Sequence, residues 1–352
     1  MSSRRGVIGA AAAAVVLIAG ALWATGALDP SSGATSAVPS ETSILHEGKV
    51  LELADDGVTL VATDTATREE RPLARCTDCA YIREFEPSAG GRWLAYEALT
   101  CDQACDPVPA GAGLWIVGAH EPPFHPPGGL PWAWSPTTEQ LAVVATGMHG
   151  TELVLLDPST GEQTSIAATG GAIYALSWSP DGSTIAYAAT SLVGVNLVHP
   201  GASPERIRRS LAPSWRSGGE DLVWSPDGTR LAVITQKAGV AVVRIDGSGK
   251  QTVLDQRPQH IAWSPDGRLI AFVRGHNVGV IPAIGGTPMI LAHAGGTPGI
   301  WSRLVWSPDG TLVAFTQGGG RPWYAVPADG SGTPPPFDHI DRLQVDRWIQ
   351  GR

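Results

Sequence analysis

Charged side chains are scarce in this sequence, 16% of 352 residues, and basic ones are outnumbered 24 to 33. The net charge of −9 speaks against general nucleic-acid binding and against charge-driven binding to anionic membranes, both of which need a basic face. Helical periodicity is missing beyond residue 28, so an all-β chain is expected. There is no Gly-x-Ser-x-Gly nucleophile elbow and no phosphate-cradling glycine loop. The cysteines number four, and none stands near the end of the N-terminal apolar run, which argues against a lipid-modified cysteine there. His120-Glu121 with His125 is one residue too long for a zinc-binding helix. Pro122, Pro123, Pro126 and Pro127 forbid a helix there in any case. No cofactor and no metal is expected.

What the chain does have is glycine (43), proline (29) and tryptophan (13), a turn-rich composition with aromatic anchors. Its organising unit is Trp-Ser-Pro-Asp-Gly, intact at Trp178-Ser179-Pro180-Asp181-Gly182 and again from Trp224, Trp263 and Trp306. A worn copy begins at Trp134, and a fainter one reads Phe85-Glu86-Pro87-Ser88-Ala89-Gly90. Proline presets φ near about −65° for the second position of a type I turn, Asp suits the third, and Gly takes positive φ at the fourth. Strand-like residues flank each copy, so each reads as a tight hairpin. The tryptophans and aspartates could mark a repeated ligand site, but recurrence at a fixed period points to architecture. Steps of 49, 44, 46, 39 and 43 residues separate Phe85 and the five tryptophans, a period that holds about four short strands and suits a propeller blade.

On these motifs the chain resembles the TolB-like propellers, whose WD-repeat-like blades carry the Trp-Ser-Pro-Asp-Gly signature. The resemblance covers residues 45–350 and implies a single β-propeller with a role in cell-envelope interactions. Serine peptidases of the prolyl oligopeptidase kind have similar blades beside a hydrolase domain. Here the propeller consumes the chain, so that activity is not implied.

Three domains are expected: residues 1–28, 29–44 and 45–350. Residues 6–28 are uncharged and apolar and follow Arg4-Arg5, which reads as an export signal or an uncleaved N-terminal anchor. The paired arginines match a twin-arginine pattern weakly, with Val7 and Ile8 following. Residues 29–44 are a flexible Ser/Thr/Pro/Gly linker. Within 45–350, residues 49–53, 58–62 and 70–73 give three strands with no inner strand before them. Residues 343–349 supply a candidate, since Trp348 lies 42 residues after Trp306. Pairing of those terminal strands would close seven blades and remove sheet edges. A six-bladed ring with the first segment packed outside is the alternative.

Two clusters stand out as candidate sites. Cys76, Cys79, Cys101 and Cys105 flank adjacent strands at one end of a blade. Outside the cytoplasm they are expected as disulfides, with a four-thiolate zinc site as the alternative. Three residues before the signature tryptophans stand Pro131, Ala175, Asp221, His260 and Arg303, equivalent positions near the mouth of a central channel. Trp132, Tyr174, Trp215 and Trp301 are expected in loops entering those strands. Trp132, Tyr174, Asp221, His260, Trp301 and Arg303 are therefore the candidate binding residues. The expected function is an exported, non-catalytic module binding an envelope protein or peptide, in the periplasm, the cell wall or at the outer face of the inner membrane. A hydrolase or lyase working at the channel mouth is the alternative.

Overall fold

The computed structural model describes residues 49–54, 57–64, 67–76, 79, 81–99, 113–118, 123–126, 128–147, 150–192, 194–201, 205–208, 222–235, 239–293, 304–316 and 323–331. The expected export segment, the linker and the strand at 343–349 lie outside them. Every regular element among the described residues is a strand, as the missing helical periodicity requires.

The strands form seven antiparallel sheets in chain order. The first contains β1 (Lys49–Leu53), β2 (Thr59–Asp64) and β3 (Glu70–Arg75). The second contains β4 (Tyr81–Pro87), β5 (Trp93–Leu99) and β6 (Gly113–Gly118). Four-stranded sheets follow, beginning with β7 (Gly129–Trp134), β8 (Leu141–Gly147), β9 (Gly150–Leu156) and β10 (Gln163–Thr169). The fourth is β11 (Ile173–Trp178), β12 (Ile185–Ala189), β13 (Val195–Val198) and β14 (Glu205–Arg208). The fifth is β15 (Leu222–Trp224), β16 (Arg230–Ile234), β17 (Val240–Arg244) and β18 (Lys250–Leu254). The sixth is β19 (His260–Trp263), β20 (Leu269–Arg274), β21 (Asn277–Pro282) and β22 (Met289–His293). The last described sheet is β23 (Leu304–Trp306), β24 (Leu312–Thr316) and β25 (Trp323–Pro327).

Six apolar clusters lie between consecutive sheets. Phe85, Leu94 and Tyr96 of the second sheet meet Leu51 and Leu60 of the first, and Phe272 and Trp263 of the sixth meet Val240 and Val242 of the fifth. The strands that open sheets three to seven (β7, β11, β15, β19 and β23) run next to one another in that order. The blades thus stack around an inner wall of first strands.

The signature explains this arrangement atom by atom. Each indole N–H leaves its own sheet and donates to a backbone carbonyl of the preceding one: Trp134 to Glu86 (2.9 Å), Trp178 to Ala133 (3.1 Å), Trp224 to Ser177 (3.1 Å), Trp263 to Val223 (3.0 Å) and Trp306 to Ala262 (3.1 Å). Burying such a side chain is worth up to about 4–6 kcal/mol, and the directed hydrogen bond adds about 1 kcal/mol. The turn forms as expected. The Gly228 N–H donates to Ser225 O at 2.9 Å, and Gly228 has φ of 66°. The Ser225 hydroxyl donates to Asp227 Oδ1 at 2.5 Å and accepts the Arg230 N–H at 3.0 Å.

The faint first copy has a different register from the one expected. Matching aromatic to aromatic aligns Phe85 with the tryptophans. The backbone aligns Pro87 with them, because Ser88 accepts the Gly91 N–H at 2.8 Å and Gly91 has φ of 64°. The Trp134 indole confirms the shift: it reaches Glu86, the residue before Pro87, as the later indoles reach the residue before a tryptophan. Phe85 is instead buried between the first and second sheets.

Candidate functional site

The first strands of the second to seventh sheets (β4, β7, β11, β15, β19 and β23) run from one face of the propeller to the face that carries the signature turns, the turn face. The turns between third and fourth strands sit on that face too. Ile245 N–H donates to Thr229 O (3.1 Å), Ala283 N–H to Arg268 O (2.8 Å) and Ala328 N–H to Thr311 O (2.9 Å). Of the candidate residues, Trp132, Tyr174 and His260 sit toward the opposite face.

Of the six candidate binding residues, Asp221, Trp301 and Arg303 lie outside the described residues, as does Trp215. Trp132 and Tyr174 belong to strands β7 and β11, not to the loops before them. The reason is a β-bulge in each inner strand. Pairing with β8 shifts between Gly129 and Trp132, and pairing of β11 with β12 shifts between Ile173 and Ala175. Two extra residues in β7, Leu130 and Pro131, and one in β11 keep the strand going while turning side chains out of register. The two aromatics are on neighbouring strands but pack into different clusters. Trp132 lies against the one between the second and third sheets, and Tyr174 against the one between the fourth and fifth. His260 opens β19, half-buried and opposite Val273. Beside it, the Gln259 side chain accepts the Gly275 N–H at 2.9 Å. Of the equivalent positions, Ala175 is buried and Pro131 half-buried.

Cys76 and Cys79 stand as a disulfide pair at the crossing from the first sheet to the second. Cys76 is buried in the cluster between those sheets and Cys79 packs against it. Cys101 and Cys105 lie outside the described residues. The His125 ring packs against Trp115, with centroids 3.6 Å apart, and its Nδ1 is 2.9 Å from Leu114 O. Trp115 in turn stacks beside Tyr96, whose phenol burial pushes up to about 12.

The turn face carries a row of perturbed carboxyls. The Ser264 hydroxyl bonded to Asp266 and the Ser307 hydroxyl bonded to Asp309 hold those carboxyls below the usual range. At Asp181 and Asp227 burial pushes upward, but hydrogen bonds from Ser179, Ser183, Ser225 and Thr229 outweigh it and the net direction is down. This face also exposes three large apolar side chains on the fifth and sixth sheets, Ile245, Ile284 and Met289. Sequence reasoning passed over them. The available signal was an isoleucine beside Asp246-Gly247 and another beside Gly285-Gly286, where turn chemistry favours polar residues.

Residues 131–262 match the family profile described as the lipoprotein LpqB beta-propeller domain. No curated protein matches the chain in sequence. Among solved structures, the chain is similar to an oligogalacturonate lyase from Vibrio parahaemolyticus, with a TM-score of 0.58 and 13% identity over 80% of this chain and 86% of that one. It is also similar to TolB from Acinetobacter baumannii, with a TM-score of 0.44 and 16% identity over 69% of this chain and 62% of that one. The stacked sheets and the matched stretch define the class, an all-β propeller. Its signature blades resemble those of the TolB-like β-propellers.

Proposed function

We propose that the chain is an exported seven-bladed propeller that docks an envelope protein or peptide on the face opposite the signature turns, without chemistry of its own. The observation that carries this is the bulging of inner strands β7 and β11, two of the three described inner strands that shift register, β4 being the third. Bulges cluster beside binding sites because they re-aim side chains, and here they bear Trp132 and Tyr174 at the same end as His260. The matched stretch contains all three residues, and its profile describes the propeller of a lipoprotein, which supports an envelope location. This chain has no cysteine before Cys76, so residues 6–28 would supply the attachment in place of a lipid. Asp221, Trp301 and Arg303 would complete the rim of the site.

Ring closure belongs to the same reading. Among the described residues β1 pairs only with β2, and the first sheet has no inner strand. Residues 343–349 would occupy that place. Affinity capture with the full chain from its own envelope fraction is the test. We expect one partner enriched by the native chain and lost with His260→Ala at unchanged melting temperature. Equal capture by both removes the site.

A second reading is a lyase or hydrolase at the same mouth, favoured by the half-buried His260 and by the fold likeness to a protein named as a lyase. Uronate oligomers incubated with the chain would then give an ultraviolet-absorbing unsaturated product, and His260→Ala would abolish it.

A further inference from the structure

The direction in which the chain enters the ring fixes which face lies nearer its N-terminal segment. The Ile82 N–H donates to Gly57 O at 2.9 Å, so the turn after β1 sits beside the start of β4. β4 ends at the turn face, so β1, antiparallel to β2 and leading into that far turn, begins at the turn face. The chain before Lys49 therefore joins the propeller on the side of the signature turns, twenty residues after the apolar run ends at Leu28. A coil of that length averages about 25 Å end to end. If residues 6–28 sit in a bilayer, the turn face is held near it.

That face carries three of the four large apolar side chains exposed among the described residues; the fourth, Leu130, is at the start of β7, toward the opposite face. Ile284 is 74% exposed, Met289 38% and Ile245 36%. They form one rim. The Gln251 amide donates to Ile284 O, linking the fifth sheet to the turn of the sixth. A Cβ at Gly330 would lie 2.9 Å from the Met289 sulfur, so the turn of the last described sheet abuts the same patch. The charges around it nearly cancel: Arg244 pairs with Asp246 at 3.4 Å and Arg268 with Asp266 at 3.7 Å, with Lys250 nearby. Attraction to anionic lipid therefore contributes little, and apolar burial at the headgroup boundary is what the surface offers. Three side chains make a weak contact by themselves. Tethering makes that contact intramolecular, so a weak one suffices.

We propose that the turn face rests on the lipid interface through Ile284, Met289 and Ile245, and that the opposite face, with His260 and the bulged strands, points away from the membrane. This rests on the reading of residues 6–28 as an anchor. The test uses the full chain on phosphatidylcholine vesicles, first floated on a density gradient. A fluorophore is then attached at Ile284→Cys or, on the opposite face between β20 and β21, at His276→Cys. The unsubstituted chain gives the background. Nitroxide-bearing lipid should extinguish most of the emission from position 284 and leave position 276 bright. A chain that floats with 284 unquenched, or with 276 quenched instead, overturns the orientation alone. A blue-shifted 284 label that lipid nitroxide does not reach means a protein covers the patch, and this also overturns it. A chain that stays in the aqueous fraction overturns anchor and orientation together.

Discussion

The second and fifth sheets carry the same hairpin with different residues, and the difference separates the roles within the signature. In the fifth sheet Trp224 staples back to Ser177, Ser225 and Asp227 lock each other, and Gly228 takes positive φ. The second sheet has Pro87 in place of the tryptophan and Ala89 in place of a turn residue, yet its turn closes the same way. Ser88 Oγ accepts the Trp93 N–H at 3.1 Å, as Ser225 Oγ accepts that of Arg230. Serine and glycine therefore make the turn, tryptophan ties sheet to sheet, and aspartate adds charge to a turn already made. The third sheet supplies the converse. It keeps Trp134 and its staple but has Thr137 and Thr138 in the turn, where Ser135 Oγ takes the Thr138 N–H at 3.2 Å instead.

The largest expected effect tests the staple. Trp224→Ala should cost about 3–5 kcal/mol, since it empties a buried site between two sheets and removes the indole bond to the Ser177 carbonyl. Denaturant titration measures it, and a near-zero shift in midpoint would remove Trp224 from the core. Next comes the part both turns share. Gly228→Ala and Gly91→Ala should each cost about 1–2 kcal/mol, because alanine is strained at φ of 66° and 64°. At Gly228 the nearest atom to a new Cβ is Pro180 Cδ at 3.8 Å, ordinary contact, so the cost there is backbone strain alone. Unequal losses at the two sites would mean that the second-sheet turn is held by something besides its backbone.

The aspartates differ between the sheets in a way that pH can read. Hydrogen bonds from Ser264 and Ser307 lower Asp266 and Asp309, and Asp181 and Asp227 are lowered on balance. A carboxyl lowered on folding stabilises the fold above its ordinary unfolded pKa of about 4, and that contribution is lost as pH falls through the folded value. Stability should therefore decline from about pH 4 downward. Replacing the four aspartates with asparagine should flatten the decline and leave neutral-pH stability only modestly lower. An unchanged acid limb would assign the pH dependence to other carboxyls.

Most of the fold was legible because a repeat announces itself by period. The register of the second sheet was not, because aromatic identity drew the alignment to Phe85 while backbone hydrogen bonds obey Ser88 and Gly91. Trp132 and Tyr174 read as loop residues because a bulge leaves no mark in the alternation of a short strand. That Cys76 joins Cys79 needed coordinates, since four cysteines allow three pairings. The channel-mouth candidates were found by counting back from each tryptophan. That count sets a residue's height along its strand but not the direction of its side chain, so Trp132 and Tyr174 diverge into separate clusters.

The smallest expected effect puts the comparison to its sharpest test, because one substitution should give different results in the two sheets. Trp93 is 1% exposed, and its indole N–H has no partner among the described residues. It packs edge-on to Phe124 with centroids 6.5 Å apart, and the Arg92 guanidinium lies 5.9 Å over its ring, a contact that phenylalanine keeps in weaker form. Trp93→Phe removes an unsatisfied buried donor, a gain of about 1–3 kcal/mol, and leaves a small cavity of opposing cost. The net should lie within about 1 kcal/mol of zero. Trp224→Phe removes a satisfied donor and leaves the Ser177 carbonyl without it, so both terms there are losses. The two midpoints, measured side by side, should diverge, with Trp224→Phe the lower. Equal destabilisation would mean that the indole bond contributes nothing and that the tryptophan of this signature serves by volume alone.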